Sequence, residues 1–222
     1  LTIGGQQRKT LMWANRNGFF YTIDRATGKV ILAKPFVRGT WAKGLDANGR
    51  PILLPGNMPD EKGSLTCPDI TGGTNFYPPS YDPAQRLFFV TAREVCATYY
   101  AWKPEFTQGD RFTGGAAQRA RDRNNPPYGA LRAIDPATGE RKWEYKFINP
   151  STSGLLTTTT NLLFSGDAEG NLLALDSRTG KLLWRYQMGA TLHGTSPVTY
   201  MLDGKQQLLV PAGTTLTAWP LP

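Results

Sequence analysis

NLLALDSRTGKLLWRYQMG, residues 171–189, is the stretch whose reading decides the fold. An apolar run ends at Asp176, the turn DSRTG follows, and a second run carries Trp184. Gly180 suits a turn that needs positive φ, and the Asp176 carboxylate can accept hydrogen bonds from the turn amides. Trp184 is large enough to fill a gap between neighbouring sheets, provided its indole N–H finds a partner.

The unit recurs. AIDPATGERKWEYKF, residues 133–147, places Asp135, Thr138, Gly139 and Trp143 each 41 positions before Asp176, Thr179, Gly180 and Trp184. YTIDRATGKVILAKPF, residues 21–36, is a degenerate copy with Asp24, Thr27 and Gly28 but no tryptophan. LLVPAGTTLTAWPLP, residues 208–222, closes the chain as a half-copy. A period near 41 with hairpin turns and one tryptophan per unit is the pattern of β-propeller blades. No 3.6-residue apolar stripe supports a helical repeat. The expected fold is therefore all-β, with radially arranged antiparallel sheets and with Trp143 and Trp184 mostly buried in equivalent places between them.

The 222 residues hold two full units, one unit stretched by a long insertion, and terminal part-units. An open ring leaves sheet edges bare, so the expectation is one domain over residues 1–222 that forms the C-terminal part of a longer propeller. The formal charge of +8 comes from basic residues scattered over turns, such as Arg25, Lys29, Arg141 and Arg178, with no dense run interleaved with aromatics. No nucleic-acid partner is expected. No apolar run approaches the roughly 20 residues of a membrane-spanning helix. Cys67 and Cys96 stand without a C-x-x-C or haem signature. On residues alone they fit buried thiols of a cytosolic protein or a disulfide of an exported one.

Candidate chemistry lies in a few local features. Residues 11–23 read as a hairpin whose Asn17-Gly18 pair tolerates positive φ, so Arg16 projects from a rigid turn. It is either a solvated turn charge or a planar, permanently charged clamp for an anion or carbonyl. Gly72-Gly73 lets the backbone turn sharply before Asn75, whose amide both donates and accepts. Residues 94–128 interrupt the repeat with Tyr99, Tyr100, Trp102, Arg111, Arg119, Arg121 and Arg123, and read as a loosely packed excursion at one end of the propeller. Residues 157–160 read as the start of a β-branched strand. His193 is the only histidine, which leaves no set of several histidines for a metal and no local support for a nucleophile triad.

WANRNGFFYTIDRATGK, TWAKGLDANGRPI, CPDITGGTNFYPPSYDP and GDAEGNLLALDSRTGKLLWRYQMG together resemble, in order, the C-terminal half of the quinoprotein alcohol dehydrogenases that use pyrroloquinoline quinone (PQQ). The resemblance implies an eight-bladed propeller, of which about three to four blades are present, with the quinone on its axis. It implies that Arg16 hydrogen-bonds the reactive quinone oxygens and that Asn75 also contacts the cofactor. It implies a Cys67–Cys96 disulfide, an oxidising periplasmic location, a calcium ion whose ligands lie upstream together with the catalytic aspartate, an alcohol substrate, and a cytochrome c or quinone as electron acceptor. The chain departs from the family at Thr152-Ser153-Gly154, where a tryptophan-glycine pair is usual, and near Ala218-Trp219-Pro220, which lacks a Gly-Trp-rich segment. The alternative reading is a non-catalytic propeller serving as a scaffold or assembly protein. Convergence of polar groups on the axis separates the two.

Overall fold

The computed structural model describes residues 1–120 and 125–221, and it is all-β, with no helix among those residues. Arg121 and Arg123 lie outside the described residues. Four antiparallel sheets follow one another along the chain as blades. The first joins Thr10–Ala14, Phe19–Asp24 and Val30–Pro35. The second joins Ser80–Asp82, Leu87–Glu94, Tyr128–Ile134 and Arg141–Phe147. The third joins Leu156–Thr157, Leu162–Gly166, Asn171–Asp176 and Leu182–Gln187, and the fourth Val198–Leu202, Lys205–Ala212 and Thr215–Pro220.

Successive side chains of a strand point to opposite faces, so a blade buried on both sides needs near-continuous apolar strands. LFFV and LLALD meet that need. Phe88 turns to the first blade, where its ring centroid lies 5.1 Å from that of Phe20. Phe89 turns the other way and joins Leu131, Leu163, Leu173 and Leu175 between the second and third blades. Phe164, Leu172, Leu208 and Val210 fill the next interface. The sheets therefore pack face to face in chain order, as propeller blades do.

Each repeat turn is closed by its aspartate. Asp24, Asp135 and Asp176 each accept the amide two residues on, at 2.9, 2.8 and 2.8 Å, and Gly28, Gly139 and Gly180 all take φ +73°. The residue four after the glycine covers the turn of the next blade. Trp143 lies over Gly180, and its indole N–H donates to the Ser177 carbonyl at 2.9 Å. Leu32, standing where the tryptophan is missing, lies over Gly139 together with Lys34. Trp184 departs from expectation: it is 41% exposed and packs on Tyr186 and Trp219. The fourth blade has three strands and, among the described residues, no counterpart of the turn at Gly180 for Trp184 to cover.

The excursion leaves the second blade between its two central strands. It forms a hairpin of Ala97–Ala101 and Gly115–Arg119 that also pairs with Ser64–Thr66. Gly115–Arg119 is exposed throughout, so the segment is a surface hairpin and not a core strand. Residues 39–59 include a short pair, Ala42–Leu45 with Pro51–Leu53. One smaller expectation also changes. Of residues 157–160 only Thr157 is strand, at the end of Leu156–Thr157, because Thr158 starts the turn to Asn161, whose φ is +63°.

Candidate functional site

The loop after Cys67 is braced from three directions. The Cys67–Cys96 disulfide ties its start to the end of Leu87–Glu94. The Asp69 amide donates to the Val95 carbonyl at 2.7 Å, and Asp69 Oδ1 accepts the amides of Thr71 and Gly72, both at 3.1 Å. Arg93 Nη2 then reaches Asp69 Oδ2 at 3.1 Å, with the two side chains only 4% and 7% exposed. The Arg93 amide donates to the Gly73 carbonyl at 2.8 Å, so backbone and side chain hold the same turn. A buried ion pair tolerates such desolvation only when the remaining lone pairs are also satisfied, as they are here. Neither Asp69 nor Arg93 stood out in the sequence; the signal was an aspartate two residues before T-G-G and an arginine ending an apolar strand.

Arg16 and Asn75 both attach to this turn. The hairpin bearing Arg16 is closed by the Gly18 amide on the Asn15 carbonyl at 3.0 Å. Gly18 alone takes positive φ, +95°, and Asn17 instead accepts the Phe19 amide. The turn is thus the type that ends in a left-handed glycine, not one with two left-handed residues. The Arg16 carbonyl accepts the Gly73 amide at 3.0 Å, and its Nη2 donates to the Ile70 carbonyl. The Asn75 amide donates to the adjacent Thr71 carbonyl at 2.8 Å. Glycine is required between them, since a Cβ on Gly72 would lie 2.2 Å from Arg16 Cγ.

A cavity of about 150 Å³ lies beside this turn between the first and second blades, lined by Met12, Trp13, Val90, Thr74 and Asn75 among others; Arg16 is outside its lining. The Thr74 hydroxyl is buried without a hydrogen-bond partner. Burial pushes the phenols of Tyr77 and Tyr99 up, while the Arg16 guanidinium acts on both in the opposite direction.

The corresponding loops of the next blades continue the same edge. The Leu155 amide donates to the Pro78 carbonyl at 2.9 Å, Gly154 to Thr195 at 2.7 Å, and Gly194 to Thr152 at 3.0 Å. The Phe76 ring closes on Gly194, where a Cβ would lie 2.9 Å from it. Arg16, Asn75, Phe76, Thr152 and His193 thus sit on one continuous series of bonded loops. Among the described residues no group of three or more His, Cys, Asp or Glu could hold a metal ion.

Known proteins match the chain in the same terms. Residues 119–208 match the family model "PQQ: Glucose/ethanol/alcohol dehydrogenase, beta-propeller domain". The quinoprotein alcohol dehydrogenase PedH of Pseudomonas putida is 38% identical over 218 residues, which cover 95% of this chain and 36% of that protein. The 1-butanol dehydrogenase (cytochrome c) of Thauera butanivorans is 35% identical over 222 residues, covering 96% of this chain and 32% of that protein. The crystal structure of the quinohemoprotein alcohol dehydrogenase from Comamonas testosteroni superposes with a TM-score of 0.87 at 32% identity, over 96% of this chain and 33% of that one. A europium-containing methanol dehydrogenase gives the same TM-score over 95% of this chain and 37% of its own length. The chain spans about a third of the length of these relatives. By sequence and by fold, it belongs to the β-propeller family of the PQQ-dependent quinoprotein alcohol dehydrogenases.

Proposed function

We propose that this chain supplies one side of a PQQ site in an enzyme that oxidises alcohols. The observation that carries the reading is the attachment of Arg16 and Asn75 to one braced turn, on carbonyls of consecutive residues, in a chain of this family.

The donor set fits an oxygen-rich, planar, anionic ligand. Arg16 is exposed and keeps most of its five N–H donors beyond the bond to Ile70. Asn75 adds an amide, and the orphaned Thr74 hydroxyl lies next to it. When bound, the quinone supplies the hydride-accepting chemistry of the reaction. Arg16 would hold the oxygens of that group by a planar fork and favour negative charge on them, as an oxyanion donor does. Asn75 would fix its orientation, and the Asp69–Arg93 pair would keep the turn from yielding as the ligand seats. A metal ion, calcium or a lanthanide as in the lanthanide-dependent methanol dehydrogenase of Methylacidiphilum fumariolicum, would be held by residues outside this chain. The catalytic aspartate would likewise be supplied from outside this chain. Electrons would leave to a cytochrome c or quinone, as the name of the Thauera relative suggests for one acceptor. The disulfide supports a periplasmic setting.

The test is reconstitution of the whole protein with PQQ and metal, followed by alcohol-dependent reduction of an artificial acceptor. Turnover that requires added PQQ is expected. No turnover with short primary or secondary alcohols, in protein that has taken up PQQ, would overturn the alcohol-oxidising reading.

A further inference from the structure

Thr152 and His193 are joined side chain to side chain, with Oγ1 3.0 Å from Nδ1. Their backbones are joined as well, through the Gly194 amide and the Thr152 carbonyl. The loop around Thr152 alternates. Ser151 and Ser153 are buried and spent on internal bonds: Ser151 Oγ donates to the Gly166 carbonyl at 2.6 Å, and Ser153 Oγ accepts the Gly166 amide at 2.9 Å. Thr152 between them is turned out, on the same series of loops as Asn75. Its hydroxyl has His193 as its one partner among the described residues, and His193 Nε2 has none.

We infer that Thr152 and His193 act as one hydrogen-bonding unit that binds the ligand held by Arg16 and Asn75. The inference rests on the proposed PQQ site. A neutral imidazole has one N–H and one bare nitrogen, and a hydroxyl can donate once and accept twice. If Nδ1–H donates to Oγ1, the threonine proton is free for a ligand oxygen. If Oγ1–H donates to Nδ1, the Nε2–H is free instead. In either tautomer the unit offers one donor to an oxygen or ring nitrogen, and each member fixes the hydrogen position of the other. A bulky apolar residue at position 152 would instead supply contact area without a directed bond. Phe76, which is 72% exposed and closes on Gly194, supplies an apolar neighbour to the pair.

The experiment is a PQQ titration of the whole protein, read by calorimetry with no substrate present, so that affinity and not turnover is measured. Thr152→Val keeps the shape and removes the hydroxyl, and it should weaken PQQ by about tenfold, the scale of one ligand hydrogen bond. Thr152→Ser should restore the affinity of the parent. His193→Phe should weaken binding in the same direction, and the double variant should be no weaker than the weaker single, because the two act as a unit. His193 is exposed, so its variant reads the pair even if Thr152→Val fails to fold. Arg16→Ala serves as the reference. If Arg16→Ala loses affinity while Thr152→Val and His193→Phe bind like the parent, the pair is a loop fastener, and this inference falls while the site stands. If the parent takes up no PQQ, both fall.

Discussion

Trp143 closes the turn of the next blade by resting on Gly180, at a distance that leaves no room for a β-carbon: one built there would lie 2.6 Å from the indole ring. The turn glycine takes φ +73° there, as Gly28 and Gly139 do in theirs, and the indole bond to Ser177 seals the contact.

Gly180→Ala should therefore destabilise the protein by about 1–3 kcal/mol, through overpacking and a left-handed backbone. Trp143→Ala should cost about 3 kcal/mol, at the low end for a tryptophan because the ring is only partly buried. Urea midpoints measure both. An unchanged midpoint for Gly180→Ala would mean that the blades are not held by this contact.

The Asp69–Arg93 pair makes a second prediction. Arg93→Met leaves the Asp69 carboxylate buried without its cation and should cost about 3–5 kcal/mol. Adding Asp69→Asn should recover part of the loss, since the uncompensated charge is then gone. Thermal unfolding of the single and double variants checks this; additive losses would contradict it.

How far the sequence went is visible in these contacts. The turns were legible because aspartate, threonine and glycine act on their own backbone within five residues. The tryptophan positions were legible as a repeat, but their burial was not. Trp143 is covered because a turn of the next blade reaches it, whereas Trp184 finds only Tyr186 and Trp219. A periodicity says where a side chain stands, not what stands opposite. Arg16 and Asn75 stood out as candidates from their turns, and only the resemblance gave them a role toward a quinone. The Asp69–Arg93 brace beneath them is a pairing across 24 positions that no local pattern announces. The Thr152–His193 contact spans 41 positions and was equally hidden.

Removing the Cys67–Cys96 cross-link by a double serine variant should lower the unfolding free energy by about 3–4 kcal/mol, the chain-entropy value for a loop of this size. The same variant should expose the turn that carries Ile70 and Thr71 to faster amide exchange. Equal exchange in both proteins would show that the ion pair alone holds the loop.

Asp176 gives a pH prediction. The hydrogen bond from the Arg178 guanidinium, opposed by burial but helped by the Arg178 amide and charge and by the Thr179 amide, holds its carboxyl below the ordinary value of 3.8. A carboxyl depressed in the folded state contributes stability that is present above the unfolded value and is lost as pH falls through the folded one. The gap in urea midpoint between the parent and Asp176→Asn should thus be widest near neutrality and should shrink as pH falls below the ordinary carboxyl value of 3.8. A gap that stays constant down to about pH 2 would assign the whole effect to geometry.

The central claim is that Arg16 is a cofactor ligand and not merely a turn residue, and Arg16→Ala in the whole protein tests it most directly. PQQ should bind far more weakly, and in protein saturated with PQQ and metal turnover should fall by about 100- to 1000-fold, as when a donor to developing charge is removed. Arg16→Lys should lie between the two, keeping the charge but losing the fork. If Arg16→Ala takes up PQQ and oxidises alcohols as the parent does, the assignment is wrong.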